Sequence, residues 1–161
     1  RIVILADGEL YEDTTVKSVE SEFEVTFDAS GEHTVRFMKV SECANGTVRI
    51  TAIKADAEKI EPTADADKKI EFIGDSITCA YGVDGTEGTF STKTEDGTKS
   101  YAYLASKQLN ADYSMFSFSG FGIISGYSTD GTRNEVSTVP QYYEKLGFSY
   151  WTQFGSDITQ L

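Results

Sequence analysis

One hydroxyl stands out in the stretch Ile70-Glu71-Phe72-Ile73-Gly74-Asp75-Ser76-Ile77-Thr78. Ile70 and Phe72 read as the inward face of a strand that runs through Ile73 to a glycine turn. Asp75 and Ser76 follow, where the spacing predicts that the backbone rises into a helix over Ser76–Tyr81 ended by Gly82. Such a bend places Ser76 beside unpaired backbone N–H groups and the positive end of a helix. That setting favours developing negative charge, which is what the nucleophile of an acyl transfer needs around it. The simpler role for Ser76 is that of a helix N-cap.

A second stretch has the same character. Ser117-Phe118-Ser119-Gly120-Phe121-Gly122 follows the apolar run Tyr113–Phe118 directly, and glycines at a strand end let the backbone approach a ligand and turn an N–H toward it. The bland alternative is a plain glycine turn.

Gly74-Asp75-Ser76-Ile77-Thr78 resembles the first sequence block of the GDSL, or SGNH, hydrolases. The longer string Lys69–Val83 (KIEFIGDSITCAYGV) is similar to one branch, the second carbohydrate esterase family of two-domain acetyl-xylan esterases. The resemblance implies that Ser76 is the nucleophile and that Gly120, with Gly122 as second choice, gives an oxyanion-hole N–H beside that of Ser76. It also implies a substrate, acetyl esters of plant polysaccharides such as xylan or glucomannan, a secreted location, and no metal or organic cofactor.

Asp75 is expected to hold the turn by accepting backbone N–H bonds. A serine nucleophile needs a base, usually histidine. The only histidine is His33, in Gly31-Glu-His-Thr-Val35, where a surface turn residue is the natural reading. The family's asparagine block and late histidine block have no match after Gly122, and Asn134, in a turn-like setting, does not fit the former. The chain is therefore expected to be a fragment of a complete esterase, with the base and a further oxyanion donor beyond Leu161 and little hydrolysis of its own. Two rival readings are a non-catalytic carbohydrate-binding module, and a lipase or thioesterase of the same superfamily.

The elements that must position these residues fall into two patterns. Residues 1–61 alternate like β-structure: Ile2–Leu5 ending at Asp7-Gly8, then Phe23–Phe27, Thr34–Val40 with Val35 and Phe37 inward, and Val48–Ile53 after Asn45-Gly46. Four or so strands are too few to close a sandwich, and the resemblance supplies the rest: these residues look like the later part of a jelly-roll domain. Residues 62–69 read as a linker carrying Pro62. From residue 70 to 161 strands alternate with helices: a helix Ser100–Leu109 with Ala102, Leu104, Ala105 and Leu109 inward, and another over Val139–Gly147 with Pro140 in its first turn. The expected fold class is thus mixed, a partial jelly-roll β-sandwich followed by the N-terminal part of an SGNH-type α/β domain with a flavodoxin-like parallel sheet. An incomplete sheet leaves an unpaired edge, a site for self-association.

Net charge is −12 over 161 residues. A surface that acidic repels phosphate backbones and anionic lipid, so nucleic acid and membrane are poor partners while neutral polysaccharide is compatible. The two cysteines, Cys43 and Cys79, have no metal-ligand spacing and read as small buried side chains; a disulfide between them is the minority alternative. The polar loop 83–98 after Ser76 is expected to line a site. Trp151, with Tyr150 and Phe154, is a candidate sugar-stacking platform, although aromatic clusters more often fill cores.

Overall fold

The Asp7-Gly8 signal is realised as a two-residue hairpin loop. Asp7 has φ +50° and Gly8 φ +87°, the left-handed pair that a tight hairpin needs. The loop joins β1 (Ile2–Ala6) to β2 (Glu9–Thr14), with Ala6 opposite Glu9. The structure, a computed structural model, describes residues 1–42, 46–86, 88, 89 and 91–143. β3 (Val35–Lys39) pairs antiparallel on the other side of β1, giving the sheet order β2-β1-β3. Ile2, Val3 and Ile4 are all buried, so this central strand is covered on both faces.

Three expectations for residues 1–61 need correction. Phe23–Phe27 and Val48–Ile53 form no strand. Their side chains alternate, but a strand is stabilised by a paired neighbour, and none lies beside them among the described residues. Thr26 N–H instead donates to the Tyr11 hydroxyl at 3.2 Å. Val35, expected inward, is exposed because no second layer covers that end of β3, while Phe37 is partly buried as expected. Among the described residues this region is one three-stranded sheet, and the facing sheet of a jelly roll is not seen.

The second sheet pairs β4 (Lys68–Gly74) with β5 (Ala111–Ser117) in parallel, from Lys68 opposite Ala111 to Gly74 opposite Ser117. A parallel pair needs a crossover, here a long loop and α1 (Tyr101–Leu109). Ser100 caps α1 by accepting Tyr103 N–H at 3.1 Å, and Asn110 ends it at φ +48°. Ala102 and Ser106 are buried, and Tyr103 meets Tyr113 of β5 edge-on at 5.5 Å. Leu104 and Leu109, expected in the core, are 54% and 49% exposed. The buried stripe is turned toward the small side chains, which let α1 approach β5, and no described element covers the leucines. Phe116 of β5, with Phe118, Phe121 and Val139 beyond it, forms an apolar cluster on which Tyr142 packs. Val139–Gln141 is a single 3-10 turn with Pro140 near its start. Residues 144–147 of the helix expected over Val139–Gly147 lie outside the described residues, as does the Trp151 platform. No described helix is long and apolar enough to cross a membrane.

Candidate functional site

Gly74, the last residue of β4, is required by its neighbour. A Cβ built there would lie 2.0 Å from Thr78 Oγ1 and 2.8 Å from Thr78 Cβ. Thr78 is buried and its hydroxyl is 2.9 Å from that of Tyr101 at the start of α1. The chain leaving β4 is thereby folded back on the strand. Asp75 acts as expected: its Oδ1 accepts Ile77 N–H at 3.0 Å.

The helix expected over Ser76–Tyr81 does not form. Cys79 N–H donates to Asp75 O (3.1 Å), Ala80 N–H to Ile77 O (3.1 Å) and Tyr81 N–H to Ser76 O (3.0 Å), so turns of different lengths follow one another in place of a regular helix. Ala80 at φ +57° closes the series. The Asp75 side chain competes for a local N–H, which disfavours a regular helix. Ser76 therefore sits in a tight run of turns, not at a helix pole, and its local field comes from oriented amides alone. The residue is partly exposed. Among the described residues neither its N–H nor its hydroxyl is engaged in a hydrogen bond.

Gly120 lies in the corresponding turn after β5. Phe118 N–H donates back to Gly74 O at 3.3 Å, tying the two strand ends together. Phe121 N–H then closes a turn onto Phe118 O at 3.1 Å, with Gly120 at φ +81° in its third position. A positive φ at that position marks a type II turn and suits glycine. Gly120 O accepts Tyr127 N–H at 2.7 Å, whereas its own N–H has no acceptor among the described residues. Gly122, the second choice, donates its N–H to Ser137 O at 3.4 Å and accepts Val139 N–H on its carbonyl at 2.9 Å, so both its backbone groups are committed within the loop. Since Gly74 and Ser117 are opposite each other, the Ser76 and Gly120 turns leave neighbouring strands at the same level. Strands in a sheet are about 4.8 Å apart, so both turns start from the same end of the parallel pair.

His33 is placed elsewhere and is fully committed. Its Nδ1 is 2.8 Å from Asp7 Oδ2, its Nε2 is 2.9 Å from Ala29 O, and its ring stacks on Phe27 at 3.9 Å. Two acceptors favour the doubly protonated ring, and the Asp7 carboxylate raises its pKa above the ordinary histidine value. Asn134 is likewise structural: Oδ1 accepts from Val136 and Ser137, and Nδ2 donates to Tyr127 O at 3.0 Å. Cys79 is buried, with Sγ 3.2 Å from Ser117 Oγ; Cys43 lies outside the described residues, and the disulfide alternative with it.

Two carboxylates were not singled out in the sequence. Glu42, just after β3, accepts Ser119 N–H on Oε2 at 2.7 Å. Its own backbone N–H donates to Glu95 Oε1 at 2.6 Å. Glu95 is 0% exposed, and burial pushes its pKa up to about 7. Thr-Glu-Asp-Gly reads as an exposed turn, so nothing in the sequence marked Glu95 as buried. The loop 83–98 was expected to line a site; its later part instead ties the two sheets together. Gly97 N–H donates to Val40 O at 2.7 Å, and the Arg1 guanidinium reaches Asp13, Asp84 (2.8 Å) and Asp96 (3.6 Å). Among the described residues no group of His, Cys, Asp and Glu is arranged to hold a metal ion.

The family model described as GDSL-like Lipase/Acylhydrolase matches residues 70–159. A cellulase/esterase of Acetivibrio thermocellus, CelE, is 38% identical over 102 residues, covering 62% of this chain and 12% of that protein. An acetylxylan esterase / glucomannan deacetylase of Cellvibrio japonicus is 32% identical over 120 residues, covering 71% and 32%. A carbohydrate esterase family 2 enzyme with a carbohydrate-binding domain, from Corynascus thermopiles (Myceliophthora fergusii), superposes with a TM-score of 0.73 at 31% identity, over 91% of this chain and 44% of that one. A family two carbohydrate esterase from Clostridium thermocellum, solved with cellohexaose, gives a TM-score of 0.73 at 31% identity over 84% and 43%. The likeness extends ahead of β4 into the antiparallel sheet, and the chain spans 12% to 44% of the length of these relatives.

Proposed function

The chain belongs to the GDSL-like lipase/acylhydrolase family, and on that premise we propose that the protein is a secreted serine esterase that removes O-acetyl groups from plant polysaccharides such as xylan or glucomannan. Ser76 Oγ attacks the acetyl carbonyl carbon, and the N–H groups of Ser76 and Gly120 receive the oxyanion. A base takes the Ser76 proton and gives it to the departing sugar oxygen, which leaves as a hydroxyl; water then cleaves the acetyl-enzyme, releasing acetate. His33 is not that base, since both ring nitrogens are occupied. A histidine and an asparagine outside residues 1–161 are assigned the base and the further oxyanion donor. The division into residues 1–61, linker 62–69 and hydrolase residues 70–161 is part of the same proposal. This chemistry calls for no metal or organic cofactor.

The observation that carries the reading is the pair of uncommitted amides, Ser76 and Gly120, on turns that leave adjacent parallel strands at one level. The substrate class is supported by relatives named as acetylxylan esterase / glucomannan deacetylase and by the relative solved with cellohexaose. The test is acetate release from acetylated xylan and glucomannan by the intact protein and by Ser76→Ala. Release by the intact protein alone supports the proposal; equal release by Ser76→Ala refutes it.

A second reading, hydrolysis of longer acyl esters, is favoured by the exposed Ile77, Ile123 and Ile124 that follow the two turns. A chain-length series of 4-nitrophenyl esters decides between them. Preference for octanoate over acetate would remove the deacetylase reading.

A further inference from the structure

We infer that Glu42, on the segment leaving β3, is a positioning residue that aims the Gly120 amide by gripping Ser119. The inference rests on the proposed role of Gly120 in the oxyanion hole. Ser119 and Gly120 are the two central residues of the Phe118–Phe121 turn. Type I and type II turns differ chiefly by rotation of the peptide between those residues. That peptide carries the Gly120 N–H, so its rotation decides whether the N–H faces the site. The turn's own closing bond, Phe121 N–H to Phe118 O, is available to both forms and does not choose between them.

Glu42 acts from outside the turn on the preceding peptide, Phe118–Ser119, which carries the Ser119 N–H, and so fixes the frame from which the Ser119–Gly120 peptide is set. Its Oε2 accepts Ser119 N–H at 2.7 Å across 77 positions of sequence. A carboxylate is a stronger acceptor for a backbone N–H than a neutral oxygen. Glu42 is in turn held from two directions. Its N–H donates to Oε1 of the buried Glu95 at 2.6 Å, and its carbonyl accepts from Lys39 Nζ at 2.7 Å. Glu95 belongs to the loop between the Ser76 turns and α1, so the segments after both parallel strands converge on one residue that follows β3, Glu95 on its backbone N–H and Ser119 on its carboxylate. The same carboxylate oxygen lies 4.0 Å from Cys79 Sγ, three residues after the nucleophile. Placing carboxylates in a half-buried junction is unfavourable unless they are hydrogen-bonded. Nothing in the β2-β1-β3 ladder requires one there, whereas the Ser119 amide does.

The experiment uses the intact protein and compares Glu42→Ala, Glu42→Gln and Ser76→Ala. Rates with 4-nitrophenyl acetate are normalised to active sites titrated with a phosphonate, so that misfolded protein does not count. Glu42→Ala is expected to lower kcat roughly 10- to 100-fold, with KM changed by less than about two-fold. Glu42→Gln retains an acceptor oxygen and is expected to restore most of the loss. Affinity for a boronic acid, which mimics the tetrahedral oxyanion, should fall in step with kcat. A purely structural Glu42 would lower the titrated site count and leave kcat per site and boronate affinity unchanged, and that result overturns the inference. Hydrogen exchange gives a readout independent of turnover: the Ser119 amide should exchange faster in Glu42→Ala and at the native rate in Glu42→Gln. Should Ser76→Ala prove fully active, the esterase reading fails by itself. Unchanged exchange at Ser119 in Glu42→Ala overturns the Glu42 contact whatever the activity shows.

Discussion

Gly74 and Thr78 stand so close that the smallest side chain on the glycine would overlap the threonine hydroxyl, with a 2.0 Å separation. This contact turns the end of a strand into the bend that carries Ser76. Thr78 cannot retreat easily, because it is buried and its hydroxyl partners that of Tyr101.

Gly74→Ala is therefore expected to destabilise the protein by about 1–3 kcal/mol, the range for overpacking a filled site. It should also reduce acetyl-ester turnover per folded molecule, since the strain is relieved by moving the Ser76 turn. Urea unfolding and active-site-normalised rates check the two parts. Native stability in Gly74→Ala would contradict the contact.

His33→Ala is expected to leave esterase activity intact and to change stability in a pH-dependent way. The Asp7 pairing raises the His33 pKa above 6.5, so its stabilising effect is complete below 6.5 and is lost as pH rises through the raised value. The Thr34 amide, and then His33, lower the Asp7 pKa below 3.8. Its effect is complete above 3.8 and is lost as pH falls through the lowered value. The stability gap between the native protein and His33→Ala should be widest near pH 5 and narrower at pH 8.5. Urea midpoints at the two values check this, and loss of activity in His33→Ala would return His33 to consideration as the base.

Glu95 has the opposite linkage. Burial raises its pKa from 4.5 to about 7, so folding favours the protonated acid. Stability should fall as pH rises from 4.5 to about 7 and be flat above it, a change of order 3 kcal/mol. Oε2 of Glu95 is buried without a hydrogen-bond partner among the described residues, as befits a site that tolerates charge poorly. Glu95→Gln keeps an oxygen for the Glu42 N–H and should abolish this slope, leaving the variant more stable than the native protein at pH 8. An unchanged slope would show that another group is responsible.

Local chemistry made much of the site legible in sequence. Asp7-Gly8 announced its turn and Gly74-Asp75-Ser76 its bend, because glycine and short polar side chains dictate backbone geometry within a few residues. The helix after Ser76 was misread because the apolar and small residues there fit a helix, while the Thr78–Tyr101 contact and the Asp75 side chain that oppose it depend on packing. Phe23–Phe27 and Val48–Ile53 carried the alternation of strands, yet alternation does not supply a neighbour to pair with. Glu42 and Glu95 gave no signal at all, for their meeting joins positions 53 residues apart, one after β3 and one in the loop before α1.

The central claim, that the Ser76 hydroxyl takes up the acyl group, is tested most directly by trapping the intermediate. The intact protein is quenched with acid during turnover of 4-nitrophenyl acetate, digested, and mapped by mass spectrometry. The account predicts one acetyl group on the peptide containing Ser76, absent from Ser76→Ala, whose turnover is abolished. Acetylation of a different residue, or undiminished turnover in Ser76→Ala, would contradict it.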